Sequence, residues 1–155
     1  MSLPKTMRAM VTMGHGDMEQ LVWHEAWPIP NIQGHELLVR VGACGLNNTD
    51  VNTRSGWYAK TVSKPTSGEA SLDPGAEDPS WGGAPIVFPR IQGADMCGEI
   101  VAVGTDVDPA RIGQRVITDN WLRDPADLKN RKKTSYFGSE CDGGFAEFAA
   151  IPDRN

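Results

Sequence analysis

A cluster of polar side chains follows the longest apolar run of the sequence. The run covers residues 36–46, and Asn47, Thr49 and Asp50 come directly after it. An amide, a hydroxyl and a carboxylate this close together can donate and accept hydrogen bonds. Tyr58 adds a phenol after a polar stretch that favours a turn. We therefore expect Asn47 and Tyr58 to converge on one cleft.

Two of these residues also have a structural interpretation. Asn is a favoured helix N-cap, so Asn47 is suited to begin a helical turn over residues 47–55. Asp50 is suited to hold that turn in place rather than to contact a ligand. The sequence leaves both roles open for each residue.

The chain lacks the usual sequence signals of a metal or disulfide site. Its three cysteines lie far apart without a CxxC motif, and no two histidines have metal-ligand spacing. These residues are Cys44, Cys97, Cys141, His15, His24 and His35. We predict no disulfide framework and no metal site, and the cysteine pattern suits a reducing cytoplasm.

Composition excludes other classes of function. The formal net charge of −5 argues against nucleic acid as a partner, because a polyanion requires a basic surface. The one basic cluster, residues 129–133, is interpreted as a solvated loop. No apolar run approaches the length of a membrane span, and the N-terminus lacks a signal-peptide pattern. We therefore expect neither a nucleic acid nor a membrane partner.

Short strand-like runs dominate the chain, and two longer stretches lack periodicity. The predicted strands cover residues 8–13, 21–25, 36–46, 98–104, 113–117 and 143–151. Residues 59–89 are predicted to form a loop insertion, and residues 121–143 an irregular segment. The predicted fold class is a mainly β, partly open barrel with long loops and short helical turns.

Four segments in order resemble the medium-chain dehydrogenase/reductase superfamily. They are residues 7–10, 45–58, 92–116 and 143–148. The resemblance implies a GroES-like substrate-side domain over residues 7–155. In that superfamily a Rossmann domain follows and holds NADPH or NADH, with the active site in the cleft between the two domains. No GxGxxG motif occurs in these 155 residues. We therefore expect the nucleotide-binding domain to be absent from this chain, and the chain alone to be inactive.

The residues at the zinc positions of this superfamily depart from its zinc-dependent alcohol dehydrogenases. By the resemblance, the cysteine ligand falls on Asn47 and the His-Glu pair falls on Ala94 and Asp95. An alanine cannot bind metal, and a neutral amide is a poor zinc ligand. Only Cys141 lies where those enzymes carry a four-cysteine structural lobe. We therefore expect no bound zinc.

The zinc-free quinone oxidoreductase branch is more similar. Its pattern matches Gly45, Leu46, Asn47, Asp50, Arg54, Ser55, Gly56 and Tyr58. This implies NADPH-dependent reduction of a small carbonyl, enone or quinone, by a full-length protein that can be a homodimer. Asn47 and Tyr58 would act on the substrate oxygen, and Thr49 aligns with a hydroxyl residue of the zinc enzymes. Asn47 and Asp50 would contact the cofactor.

Two other functions stay open from the sequence. The chain can be a fragment of a zinc-dependent alcohol dehydrogenase whose ligands lie elsewhere, or a GroES-like binding module without catalysis. Asp95 is a further candidate at the mouth of the barrel. Trp57, Trp81 and Trp121 are candidates to face the pocket.

Overall fold

Strands form most of the regular structure, in a computed structural model that describes residues 3–57, 86–124, 126–127, 129 and 134–155. The elements are β1 (Thr6–Thr12), β2 (Leu21–Pro28), β3 (Glu36–Gly45), α1 (Asn48–Arg54), β4 (Arg90–Ile91), β5 (Asp95–Val103), β6 (Arg115–Ile117), β7 (Trp121–Leu122), β8 (Ser135–Tyr136) and β9 (Phe148–Pro152). Short 3-10 turns cover Met18–Gln20 and Pro109–Arg111. The predicted mainly β class is confirmed.

The strands form antiparallel sheets. One sheet has the order β2-β1-β4, a second has the order β6-β5-β3-β9, and β7 pairs with β8. The β3–β5 ladder is the longest, running from Leu37 opposite Val103 to Gly45 opposite Asp95. The far end of this ladder therefore brings Asp95 beside the start of α1.

The strand β3 carries apolar side chains on both faces, and each face packs into a different hydrophobic cluster. Leu37 and Val39 pack in one cluster with Met96, while Leu38 packs in the other with Met7. All five side chains are buried. Side chains alternate across a strand, so a strand between two cores needs consecutive apolar residues. Each such burial contributes about 1.5–3 kcal/mol.

The segment at residues 145–147 connects the two larger sheets. Met10 N–H donates to the Phe145 carbonyl at 2.8 Å, and Glu147 N–H donates to the Arg8 carbonyl at 3.1 Å. Val41 N–H donates to the Glu147 carbonyl at 2.9 Å. The sheets are joined here, but the described strands do not close into a full barrel. This is the partly open barrel that the sequence predicts.

Two predicted boundaries were wrong. The last strand begins at Phe148 rather than at residue 143. The N–H groups of Gly143 and Gly144 instead donate to the carbonyls of Ile91 and Gly93, both at 2.7 Å and outside a regular ladder. The segment 121–143, predicted to be irregular, contains the short β7–β8 pair.

Most of the predicted loop insertion lies outside the described residues. Its described part, residues 86–89, is irregular and contains a cis peptide bond between Phe88 and Pro89. The predicted domain limits, residues 7–155, stay a prediction. No helix in the described part of the chain is long and apolar enough to cross a bilayer.

Candidate functional site

Asn47 is the N-cap of α1, and it forms a capping box with Asp50. The Asn47 side-chain oxygen accepts the N–H of Thr49 at 3.1 Å. The Asp50 carboxylate in turn accepts the N–H of Asn47 at 2.9 Å. These reciprocal bonds satisfy N–H groups that the start of a helix would otherwise leave unpaired. The helical turn that the sequence predicts at residues 47–55 is thereby confirmed.

The same Asn47 side chain contacts Asp95 across the mouth of the β3–β5 ladder. Asn47 Nδ2 donates to Asp95 Oδ2 at 2.8 Å, and Asn120 Nδ2 donates to Asp95 Oδ1 at 3.0 Å. An ionised carboxylate only accepts hydrogen bonds, so both amides must turn their nitrogen atoms towards it. Each nitrogen carries a second hydrogen. One exposed carboxylate therefore orients two amide groups and leaves each with a donor for a ligand.

Asp50 is buried below this surface and connects α1 to the sheets. Its second oxygen accepts the Gly93 N–H at 3.1 Å. The Gln92 side chain donates to the Asp50 carbonyl at 2.9 Å and accepts from the Thr12 hydroxyl at 2.8 Å. Burial raises the pKa of the Asp50 carboxyl, while the backbone hydrogen bonds from Asn47 and Gly93 lower it. The start of α1 is thus fixed to both β1 and the Gln92–Gly93 segment.

The other end of α1 is held by the turn after β1. The buried Arg54 guanidinium donates to the Gly16 carbonyl, and Gly16 N–H donates to the Arg54 carbonyl at 3.0 Å. The His15 ring lies 3.1 Å from the Thr53 carbonyl through Nδ1. A helix of two turns has little stability of its own, so these contacts determine its position.

A cavity of about 140 Å³ opens between α1 and the β7–β8 pair. It is lined by Asn47, Thr49, Asp50, Thr53, Ala94, Asn120, Trp121, Tyr136, Phe137, Gly138 and Ser139. One side is aromatic, with the Trp121 and Tyr136 rings packed edge to face at 5.0 Å between centroids. The lining from the α1 segment presents the Asn47 amide and the hydroxyls of Thr49 and Thr53. A polar group facing an aromatic wall is a common arrangement in small-molecule sites.

The structure brings together three of the four site residues predicted from sequence. Asn47, Thr49 and Asp50 all line the cavity. The Thr49 hydroxyl makes no hydrogen bond with any residue that the structure describes. Tyr58 lies outside the described residues, as does Trp81. The roles proposed for these residues stay predictions.

The other candidate residues do not all line the cavity. Trp121 lines the cavity, whereas Trp57 is partly buried and does not line it. Asp95 does not line the cavity itself but accepts hydrogen bonds from Asn47 and Asn120, which do. Sequence reasoning missed Asn120 and Ser139. No local pattern marks either residue, because only the folded ladder and the β7–β8 pair bring them to α1.

The residues at the zinc positions do not fit a zinc ion. Ala94 presents a methyl group to the cavity, and Asn47 presents an amide already hydrogen-bonded to Asp95. Within the described ranges, no three or more His, Cys, Asp or Glu side chains lie together as a metal site would require. A single carboxylate with two amide donors is an incomplete zinc ligand set.

The nearby cysteines are poor nucleophiles. Burial, followed by the charges of Asp50 and Asp95, raises the pKa of the Cys44 thiol to about 12. Burial likewise raises the pKa of Cys141 to about 12. The thiolate is the reactive form of cysteine, so neither residue is suited to covalent catalysis.

Comparison with known proteins places this geometry in a family. The family model described as the alcohol dehydrogenase GroES-like domain matches residues 33–155. L-galactonate-5-dehydrogenase of Escherichia coli K12 is 27% identical, over 88% of this chain and 35% of its own length. Human quinone oxidoreductase is also 27% identical, over 97% of this chain and 32% of its own length. The chain thus spans about a third of the length of these curated relatives.

A solved structure shows the same fold. A crystal structure from Sinorhizobium meliloti 1021, described only provisionally as an alcohol dehydrogenase, superimposes with a TM-score of 0.79 and 41% identity. The match covers 99% of this chain and 40% of that one. Together with the family match, this establishes that the chain belongs to the alcohol dehydrogenase GroES-like domain family of the medium-chain dehydrogenase/reductase superfamily.

Proposed function

We propose that this chain is the substrate-side domain of a nicotinamide-dependent oxidoreductase that reduces a conjugated carbonyl compound, an enone or a quinone, without zinc. The observation that carries the proposal is the pair of amides fixed by Asp95 where a zinc ligand set would otherwise stand. The relatives include both dehydrogenases and a quinone oxidoreductase, which supports an oxidoreductase reaction in general.

The amide pair suits the electronic demand of this reaction. Hydride addition to a conjugated carbonyl places negative charge on the substrate oxygen. Donors fixed in advance stabilise such charge without having to reorganise. Asn47 and Asn120 each keep one N–H for that oxygen, and their orientation is set by Asp95 rather than by the substrate. The Thr49 hydroxyl lines the same cavity and can deliver or accept a proton.

Simple alcohol oxidation fits the cavity less well. Forming an alkoxide from an unactivated alcohol calls for a Lewis acid, and the residues at the zinc positions cannot hold one. Reduction of a conjugated carbonyl starts from an acceptor that is already electrophilic. Hydrogen-bond donors are then sufficient at the oxygen.

The cofactor would be bound mainly outside this chain. A reduced nicotinamide, NADPH by resemblance to the quinone oxidoreductases, supplies the hydride when bound. In this chain Asn47 would contact it, and the exposure of its side chain at the cavity edge supports this role. The Asp50 carboxylate is already engaged by two backbone N–H groups, so its part would be to hold Asn47 in place. The three cysteines that the structure describes are free, which supports a cytoplasmic location.

Steady-state kinetics of the whole protein test this proposal. NADPH oxidation is followed with cyclohex-2-enone, with a simple quinone, and with cyclohexanone as the matched saturated control. We expect turnover with the conjugated acceptors and at least about a hundredfold lower kcat/KM with cyclohexanone, because the saturated ketone lacks the conjugated double bond that accepts the hydride. Equal rates with cyclohexanone, or oxidation of cyclohexanol as the faster reaction, would refute the proposal.

A further inference from the structure

The Ser139 hydroxyl is buried at the wall of the cavity without a partner. Ser139 is 5% exposed, and its Oγ has no hydrogen-bond partner among the residues that the structure describes. Buried hydroxyls in native proteins nearly always have a partner, because an unpaired polar group loses its hydration without compensation. This hydroxyl therefore keeps hydrogen-bonding capacity that a ligand in the cavity can use.

The backbone around Ser139 is fixed rather than free to seek another partner. Ser139 N–H donates to the Tyr136 carbonyl at 3.3 Å, and Gly138 N–H donates to the Cys141 carbonyl at 2.8 Å. Gly138 has φ of +79°, and a Cβ there would lie 2.8 Å from the Gly93 nitrogen. The turn is therefore pressed against the segment that precedes Ala94. Only the side-chain torsion of Ser139 is left to redirect its hydroxyl towards the cavity.

Ser139 belongs to the side of the cavity formed by the turn after β8. Asn47 and Thr49 come from α1, so the lining carries polar groups from two separate elements. The aromatic rings of Trp121 and Tyr136 also line the cavity. A flat ligand packed on these rings can place one oxygen at the amides and a second at Ser139.

We infer that Ser139 is a specificity-determining residue that hydrogen-bonds a second oxygen of the ligand. The inference rests on the proposed function, and it narrows the substrate class to conjugated carbonyl compounds that carry another oxygen on the ring or chain. Ser139 does not act on the reacting oxygen, so it is a binding residue and not a catalytic one.

Two ligands that differ by one oxygen test this inference. The probes are 2,6,6-trimethylcyclohex-2-ene-1,4-dione and 2,6,6-trimethylcyclohex-2-enone. Their dissociation constants are measured by calorimetry on the whole protein with oxidised cofactor, so that no turnover occurs. The proteins are the wild type, Ser139→Ala, and Ser135→Ala as a partly buried serine outside the cavity lining.

We expect Ser139→Ala to weaken binding of the dione about five- to tenfold, which is the loss of one hydrogen bond, and to leave the mono-ketone unchanged. Ser135→Ala should change the dissociation constant of neither ligand. Thermal stability should be unchanged or raised by Ser139→Ala, because an unpaired buried hydroxyl is removed. The inference would be overturned if Ser139→Ala weakened binding of the dione and the mono-ketone equally. It would also be overturned if the variant lowered the melting temperature and left the ratio of the two dissociation constants unchanged. If the wild type binds neither ligand, the proposed function fails and the inference fails with it.

Discussion

The side-chain amide of Asn47 donates a 2.8 Å hydrogen bond to Oδ2 of Asp95. The two residues are 48 positions apart in the chain. Their contact depends on the β3–β5 ladder, in which Gly45 stands opposite Asp95. The ladder therefore determines which hydrogen of the Asn47 amide is left for a ligand.

Replacement of Asp95 tests its role as a positioning residue. Asp95→Asn keeps one acceptor oxygen and adds a competing NH₂ group, so one of the two amides loses its partner. We expect kcat with an enone to fall about tenfold to a hundredfold, because donors must be oriented before the reaction. The bond is exposed, so the free energy of unfolding should change by less than about 1 kcal/mol. Steady-state kinetics and urea unfolding measure the two effects separately.

Asp106→Asn is the matched control for that variant. Asp106 has a side chain 56% exposed and follows the opposite end of β5, a strand of nine residues. Such a strand spans roughly 30 Å, which keeps Asp106 away from the cavity. The control should retain wild-type kcat. A proportional loss of kcat and stability in Asp95→Asn would show a purely structural role.

The buried Asp50 predicts a particular pH dependence of stability. Because burial raises the pKa of Asp50 above 3.8, the folded state holds this proton more tightly than the unfolded state. The contribution of Asp50 to the free energy of unfolding is therefore fully present below the ordinary pKa of Asp. That contribution is lost as the pH rises through the raised pKa of the folded state. As the pH rises from below the ordinary pKa of Asp, the stability difference between wild type and Asp50→Asn should become less favourable to wild type. Urea unfolding at several pH values measures it, and a difference that grows with pH would contradict the direction of the shift.

Alkylation of cysteine tests the environment beneath α1. With its pKa raised to about 12 from 9.0, Cys44 forms about a thousandfold less thiolate at pH 8 than an ordinary cysteine. We expect iodoacetamide to modify Cys44 at a negligible rate in the folded chain and rapidly in urea. Peptide mass spectrometry resolves Cys44 from Cys97. Rapid labelling of Cys44 in the folded protein would contradict the burial of its thiol.

A glycine in the central ladder should tolerate no side chain. A Cβ at Gly98 would collide with the Arg40 carbonyl oxygen, whereas a Cβ at Gly42 would lie 3.8 Å from the Cys97 oxygen. We expect Gly98→Ala to lower the free energy of unfolding by about 1–3 kcal/mol through overpacking. Gly42→Ala, in the neighbouring strand, should be close to neutral. Chemical denaturation compares them, and equal effects would contradict the packing described here.

Local sequence patterns predicted several elements of the fold. The apolar run at residues 36–46 identified β3, and the Asn47 cap identified α1, because both depend on residues close together in the chain. The start of β9 was not predictable. Residues 143–145 hydrogen-bond to the segment 91–93, and a contact at that sequence distance leaves no local trace.

The site was predictable on its α1 side and, on its aromatic side, at Trp121. Asn47, Thr49 and Asp50 lie in one short segment and were found by type and spacing. Ser139 lies in the segment 121–143, which has no periodicity, and Asn120 directly precedes that segment. Both reach the cavity through the β5–β6 ladder and the β7–β8 pair. An amide or hydroxyl in a polar stretch has no signal of its own until the fold supplies its neighbours.

The dependence of turnover on metal tests the central claim most directly. The whole protein is dialysed against a strong chelator, and NADPH oxidation with cyclohex-2-enone is measured before dialysis, after it, and after zinc is added back. We predict equal kcat in all three states and less than about one zinc per ten chains, because Asn47 and Ala94 cannot complete a zinc site. Loss of turnover on chelation, restored by one zinc per chain, would contradict the account.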